Sequence, residues 1–128
     1  MPEFIPEQVP AGLDDFTRGY LECAEWLLDE SIDRDAILGF SAEAIEQASA
    51  DCADFQEVYA AQLERYEEVT GRPMDHAGHD FWLTRNHHGA GFWDRGDDPV
   101  LDVLTNASQA YGERDLYLGD DGYLYFGG

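Results

Sequence analysis

Four histidines, His76, His79, His87 and His88, fall within 13 residues, and Asp75, Asp80 and Asp94 lie beside them. Imidazole and carboxylate are the donors a Zn or Mn ion takes. If the first half of this stretch is helical, His76 shares a face with His79 and with Asp80, and His87 or His88 closes the set from the following loop. The candidate metal ligands are therefore His76, His79 and Asp80 with either His87 or His88, although the spacing matches no established metal signature. The same residues suit acid–base chemistry, because a carboxylate tunes an imidazole towards neutral pH and Arg85 or Arg95 would hold an anion. A nucleophile is harder to name. Thr84 is the nearest, and Cys23 and Cys52 sit inside apolar helical patterns, so no catalytic residue is assigned. Gly89-Ala90-Gly91 is too short for a phosphate loop, with no strand before it and no Lys after it.

The run also carries two bulky aromatic pairs, Phe81-Trp82 and Phe92-Trp93, around a glycine-rich turn. Residues 79 to 95 hold two Asp and two Arg, a neutral island in an acidic chain. Neutral, aromatic and arginine-bearing surfaces are typical of binding hot spots. Phe81, Trp82, Arg85, Phe92, Trp93 and Arg95 are thus candidate partner contacts. The alternative is structural: the rings and arginines lock the turn onto its neighbours.

The rest of the chain sets a strong charge. There are 28 Asp and Glu against 7 Arg and no Lys, a formal net charge of -21. Residues 1 to 70 hold 18 acids and 3 Arg, a net of -15, and residues 71 to 128 hold 10 acids and 4 Arg, a net of -6. Such a charge repels phosphates and anionic lipid, so direct nucleic-acid or membrane binding is disfavoured and a basic protein partner is favoured. Carboxylates arrayed along helices imitate the spaced charges of a duplex. The proposed mimic charges are Asp14, Asp15, Glu22, Glu25, Asp29 and Glu30, followed by Asp51, Asp54, Glu57, Glu64, Glu67 and Glu68. Salt adaptation and plain solubility are the other readings of the same composition.

The elements that position these groups follow from periodicity. Leu13, Phe16, Tyr20, Cys23, Ala24, Leu27 and Leu28 form one helical stripe. Behind the cap Ser41, the stripe Ile45, Ala48, Cys52, Phe55, Tyr59, Leu63 and Tyr66 predicts one longer helix ending before Gly71-Arg72-Pro73, packed antiparallel on the first. Asp33 to Gly39 reads as a polar connection. Asp75 is the expected cap of a helix from His76 to about Asn86, and Asp98-Pro99 opens another with Val100, Leu101, Leu104, Ala107 and Tyr111 inward. Leu116-Tyr117-Leu118 and Tyr123-Leu124-Tyr125-Phe126 flank Gly119-Asp120-Asp121-Gly122, a hairpin pattern.

The expected class is α+β and mostly helical: two long antiparallel amphipathic helices, shorter helices and a C-terminal β-hairpin. With 128 residues a single domain is expected. It divides into a Pro-bearing lead-in (1–12), an acidic helical pair (13–70), a His/Trp/Gly-rich segment (71–98) and a helix with hairpin (99–128). The start lacks a secretory pattern and no apolar run is long enough to span a bilayer, which points to the cytoplasm, with the cysteines as free thiols.

Gly19-Tyr20-Leu21-Glu22-Cys23-Ala24, Ala50-Asp51-Cys52-Ala53-Asp54-Phe55-Gln56, residues 78 to 95, and Ala110-Tyr111-Gly112-Glu113 with the Tyr-rich hairpin resemble a group of small proteins of tailed bacteriophages and prophages. The resemblance runs through nearly the whole chain. Relatives carry Gly where His87 stands, which makes His88 the better ligand candidate. It implies a phage origin and expression inside a host cell, and it carries over no catalytic residue. It adds weight to a role in host takeover or counter-defence, where small acidic DNA mimics recur. The leading expectation is an accessory protein that binds a basic, nucleic-acid-handling host protein. The alternatives are a metal-binding or metal-dependent small enzyme, and a structural or assembly protein that forms homo-oligomers.

Overall fold

A computed structural model describes residues 12–127. The Pro-bearing lead-in up to residue 11 lies outside the described residues. Helix α1 (Asp15–Trp26) starts at Asp14, whose carboxylate accepts the Thr17 N–H at 2.8 Å. A two-residue strand β1 (Gly39–Phe40) leads to Ser41, whose hydroxyl accepts the Ala44 N–H at 3.0 Å and caps α2 (Ala42–Val58). These caps supply acceptors for N–H groups that no helix can satisfy internally. Helix α3 (Ala60–Thr70) ends at Gly71, left-handed at φ 70°, and α4 (Met74–Arg85) follows Pro73. Asp98 accepts the Val100 N–H at 2.9 Å to open α5 (Pro99–Ala110). Strands β2 (Asp115–Leu118) and β3 (Tyr123–Gly127) complete an α+β, helix-dominated fold. No helix of the described residues is long and apolar enough to cross a membrane.

Four expectations are corrected. The long second helix is two helices, α2 and α3, broken at Tyr59 (φ -112°, ψ 28°). No Gly or Pro marks the break. The apolar stripe runs through it: Phe55 packs on Phe81 at 4.3 Å, and both Phe55 and Tyr66 reach Phe92, at 6.1 and 5.4 Å. Secondly, α1 packs chiefly on α4 and less on α2. Two glycines decide this. A Cβ on Gly19 would lie 2.0 Å from the Asp75 carbonyl oxygen, and one on Gly78 would lie 2.0 Å from that of Phe16. The two backbones meet where both helices lack a side chain.

Thirdly, Asp75 is not a cap. The helix begins at Met74 and Pro73 stands at the cap position with no side-chain bond, while Asp75 occupies the first turn, where the helix dipole favours an acid. Fourthly, the hairpin belongs to a three-stranded sheet of order β1-β3-β2, parallel between β1 and β3 and antiparallel between β3 and β2. The missed strand lies at the end of the stretch read as a polar connection. The Leu38 N–H donates to the Gly122 carbonyl at 2.8 Å and the Ser41 N–H to that of Leu124 at 2.9 Å. An isolated hairpin is marginal, and the third strand together with Phe126 against Trp82 (5.5 Å) anchors this one. One continuous cluster joins all elements, with Phe16, Tyr20, Phe55, Phe81 and Phe92 at its centre.

Candidate functional site

The segment 78–95 turns inward. Its helical part places Asp80, Phe81, Thr84 and Arg85 in the core, and Trp82 is only 4% exposed. Around Asp80 the Arg95 guanidinium donates at 2.7 and 3.1 Å to Oδ1, and the Tyr66 hydroxyl donates at 2.6 Å to Oδ2. Arg72 lies 3.6 Å from the same Oδ2 and donates from Nε to the Tyr66 oxygen at 2.8 Å. The hydrogen bond to Asp80 raises the Arg95 pKa, and burial raises that of the Tyr66 phenol. A carboxylate so surrounded has both oxygens engaged by hydrogen bonds within the fold.

Arg85 forms the second buried cluster. Its guanidinium donates to the Asp51 carboxylate at 2.8 Å, to the Tyr20 hydroxyl at 3.0 Å, and to the carbonyls of Gly112 and Tyr111 at 2.8 and 3.0 Å. It also lies over the rings of Phe81 and Tyr111 at 5.5 and 5.7 Å. Burial raises the Tyr20 pKa, so that hydroxyl stays protonated as the arginine's acceptor. Arg85 therefore ties α1, α2 and α4 to the exit of α5. Thr84 has a similar duty, since its hydroxyl accepts the Phe92 N–H at 3.0 Å and latches the glycine-rich loop. At Gly91 (φ 154°) an added Cβ would lie 2.3 Å from that hydroxyl.

Of the six residues expected to form an aromatic and arginine docking face, Phe81, Trp82, Arg85 and Phe92 are buried. Arg95 is engaged with Asp80, and only Trp93 is well exposed, at 47%. The structural alternative describes this segment. A run that is neutral because its charges cancel inside the fold looks, in sequence, like one that is neutral at a surface.

The histidines do not converge. The His76 and His79 rings stack at 5.4 Å, and His79 Nε2 lies 3.9 Å from Glu22. Burial, then the neighbouring His76, lowers the His79 pKa. His88 is exposed, past the α4 C-terminus, where it lines a cleft with Trp82 and Asn86. Among the described residues no group of three His, Cys, Asp or Glu is placed to hold a metal ion. The structure therefore does not bring His76, His79, Asp80 and His88 together as one ligand set among the described residues. His87 has a backbone role: it adopts φ 56°, its N–H reaches the Thr84 carbonyl at 3.1 Å and that of His88 reaches Leu83 at 3.0 Å. This is a Schellman end, at the position where glycine is the usual choice. The cysteines are free, and burial lifts the Cys23 thiol to about 12 and that of Cys52 well above its ordinary value, so neither is a ready nucleophile.

The acidic faces fare differently. Asp14, Asp15, Asp29, Glu30, Asp54, Glu57, Glu64, Glu67 and Glu68 are exposed. Glu22 and Asp51 are half-buried, the latter held by Arg85, and Glu25 is buried at 5%, so these three are poor candidates for mimic charges. Glu25 is displaced inward because it shares a helical face with Leu21 and Leu28; burial lifts its carboxyl to about 7, against a nearby Arg34 that lowers it.

A cleft that periodicity did not reveal lies where the end of α1, the end of α4 and the start of β2 meet. It encloses about 290 Å³, with Leu28 and Trp82 among its apolar walls and Asp29, Glu113, Arg114 and Asp115 among its charged ones. The hairpin pattern foretold β2, but which of its edges stays open depended on the unforeseen β1. Comparison with known proteins adds nothing to this geometry: no family model, curated protein or solved structure matches the chain.

Proposed function

We propose that the protein is a non-enzymatic accessory protein of a phage that binds and modulates a basic, nucleic-acid-handling host protein, its acidic helices standing in for DNA. One observation carries this reading: four of the seven arginines are drawn into the fold. Arg85 is fully buried, Arg72 and Arg95 converge on the buried Asp80, and Arg34 donates to the carbonyls of Glu25, Trp26 and Leu28. The outer faces of α2 and α3 keep Arg65 alone, beside Glu57, Glu64, Glu67 and Glu68. A net charge of -21, cancelled at the surface mainly where Arg18 pairs with Asp15 and Glu22 and Arg65 with Glu68 and Asp98, becomes a field that steers a basic partner and repels nucleic acid.

The test is capture from host lysate at low and high salt, repeated with a variant that reverses Glu30, Glu57, Glu64, Glu67 and Glu68 to Lys. The expected result is a salt-released, basic nucleic-acid-binding protein that the variant fails to retain and that duplex DNA displaces. Retention by the variant, or indifference to DNA, would refute mimicry.

A further inference from the structure

Strand β2 has an open edge. In its antiparallel register Tyr117 stands opposite Tyr125 and Leu118 opposite Leu124, and beyond them the Gly119 N–H donates to the Tyr123 carbonyl at 2.8 Å. Hydrogen-bonded pairs alternate along such a ladder. Tyr117 and Asp115 therefore bond inward to β3, and the N–H and C=O groups of Leu116 and Leu118 point away from the sheet. The other side of β3 agrees with this phase, because the Leu124 carbonyl faces β1 and accepts the Ser41 N–H. Among the described residues no hydrogen bond reaches the outward groups of Leu116 or Leu118. Two residues before Leu116, on the same outward side, the Arg114 N–H is taken by the Asn86 side-chain oxygen at 2.8 Å, in the place a further strand's carbonyl would hold.

The cleft of about 290 Å³ opens beside this edge, with Asn86, Arg114, Asp115 and Leu116 on its wall. Its charged lining is mostly acidic, from Asp29, Glu113 and Asp115, and Asp120 and Asp121 sit at the other end of the strand. We propose that β2 receives an extended, basic segment of a partner protein as a fourth strand, with one of its side chains seated in the cleft. Open edges bind strands through the backbone, and side-chain pockets select the sequence. A second copy of this chain is the natural competitor for any open edge, but two molecules each carrying -21 repel one another. The occupant's basic character rests on the function proposed above; its strand geometry does not.

The experiment uses the whole protein and a short synthetic peptide alternating valine and lysine, compared with the same sequence N-methylated along its backbone. Amide exchange is followed by NMR at low salt. The unmodified peptide should slow exchange at Leu116 and Leu118 by about tenfold at saturation, leave Tyr117 unchanged, and bind at least about tenfold more tightly than the N-methylated form. Leu118→Pro removes an outward N–H without removing a ladder bond, and a folded variant should lose the effect. If that variant does not fold, the peptide comparison still decides. Equal binding of the two peptides without protection would overturn strand addition and leave the acidic-face reading intact. Binding of neither peptide would overturn strand addition, while the mimic reading stands or falls on the capture experiment. Protection of Leu116 and Leu118 in the protein alone at high salt would assign the edge to a second copy instead.

Discussion

Substituting Gly78 by Ala tests the α1–α4 crossing on which the core depends. The new Cβ would lie 2.0 Å from the Phe16 carbonyl oxygen and 2.8 Å from the Tyr20 nitrogen, so the helices must part by about 1 Å before it reaches even 3.0 Å. Both neighbours are backbone, and no rotamer change relieves them. Parting the helices opens the contacts of Phe81 with Phe16 and Tyr20, now at 5.8 and 5.4 Å between centroids. A radial gap of that size forfeits roughly a quarter to a half of the dispersion well at each contact. Overpacking of this kind costs about 3 kcal/mol at its upper end, and alanine's better helix propensity returns about 1 kcal/mol. The net expectation is a loss of about 2 kcal/mol or more, a fall in Tm of roughly 6–10 °C for a domain of this size. Urea and thermal denaturation followed by circular dichroism would measure it. Gly19→Ala should behave similarly. The two together should cost less than their sum, because one separation of the helices relieves both clashes. A Gly78→Ala protein as stable as the parent would refute the close crossing.

Glu25 predicts a pH effect of defined sign. Its folded pKa of about 7 lies above the ordinary 4.5, so the protonated form stabilises the fold and that contribution is lost as pH rises through 7. Glu25→Gln should leave urea stability near parental at pH 5 and raise it at pH 8, by at most about 3 kcal/mol and less where water screens the carboxylate; no difference between the two pH values would sink the assignment. Arg85→Met should destabilise by about 3–5 kcal/mol, since it leaves Asp51 and the carbonyls of Tyr111 and Gly112 without their donor. A shift below 1 kcal/mol in the denaturation midpoint analysis would show that water replaces the guanidinium readily.

What the sequence determined by itself is local. Periodicity and caps placed α1, the start of α2 at Ser41, α5 behind Asp98-Pro99 and the hairpin around residues 119–122, because those signals act over one or two turns of chain. Charge was largely legible: nine of the twelve acids assigned to outer helix faces are exposed, and Glu22, Glu25 and Asp51 are drawn in by their neighbours. Tertiary structure decided the rest. The break at Tyr59 carries no Gly or Pro to announce it, and the pairing of α1 with α4 follows from two glycines 59 positions apart that read singly as weak spots in their helices. The segment 78–95 shows the limit most clearly. Its Asp, Arg, Trp and Phe residues have the chemistry of a site, and only their burial against Tyr66, Arg72, Asp51 and Tyr20 makes them a framework. Side-chain type states what a group can do. Whether its lone pairs and protons are free to do it depends on neighbours that the chain brings together only on folding.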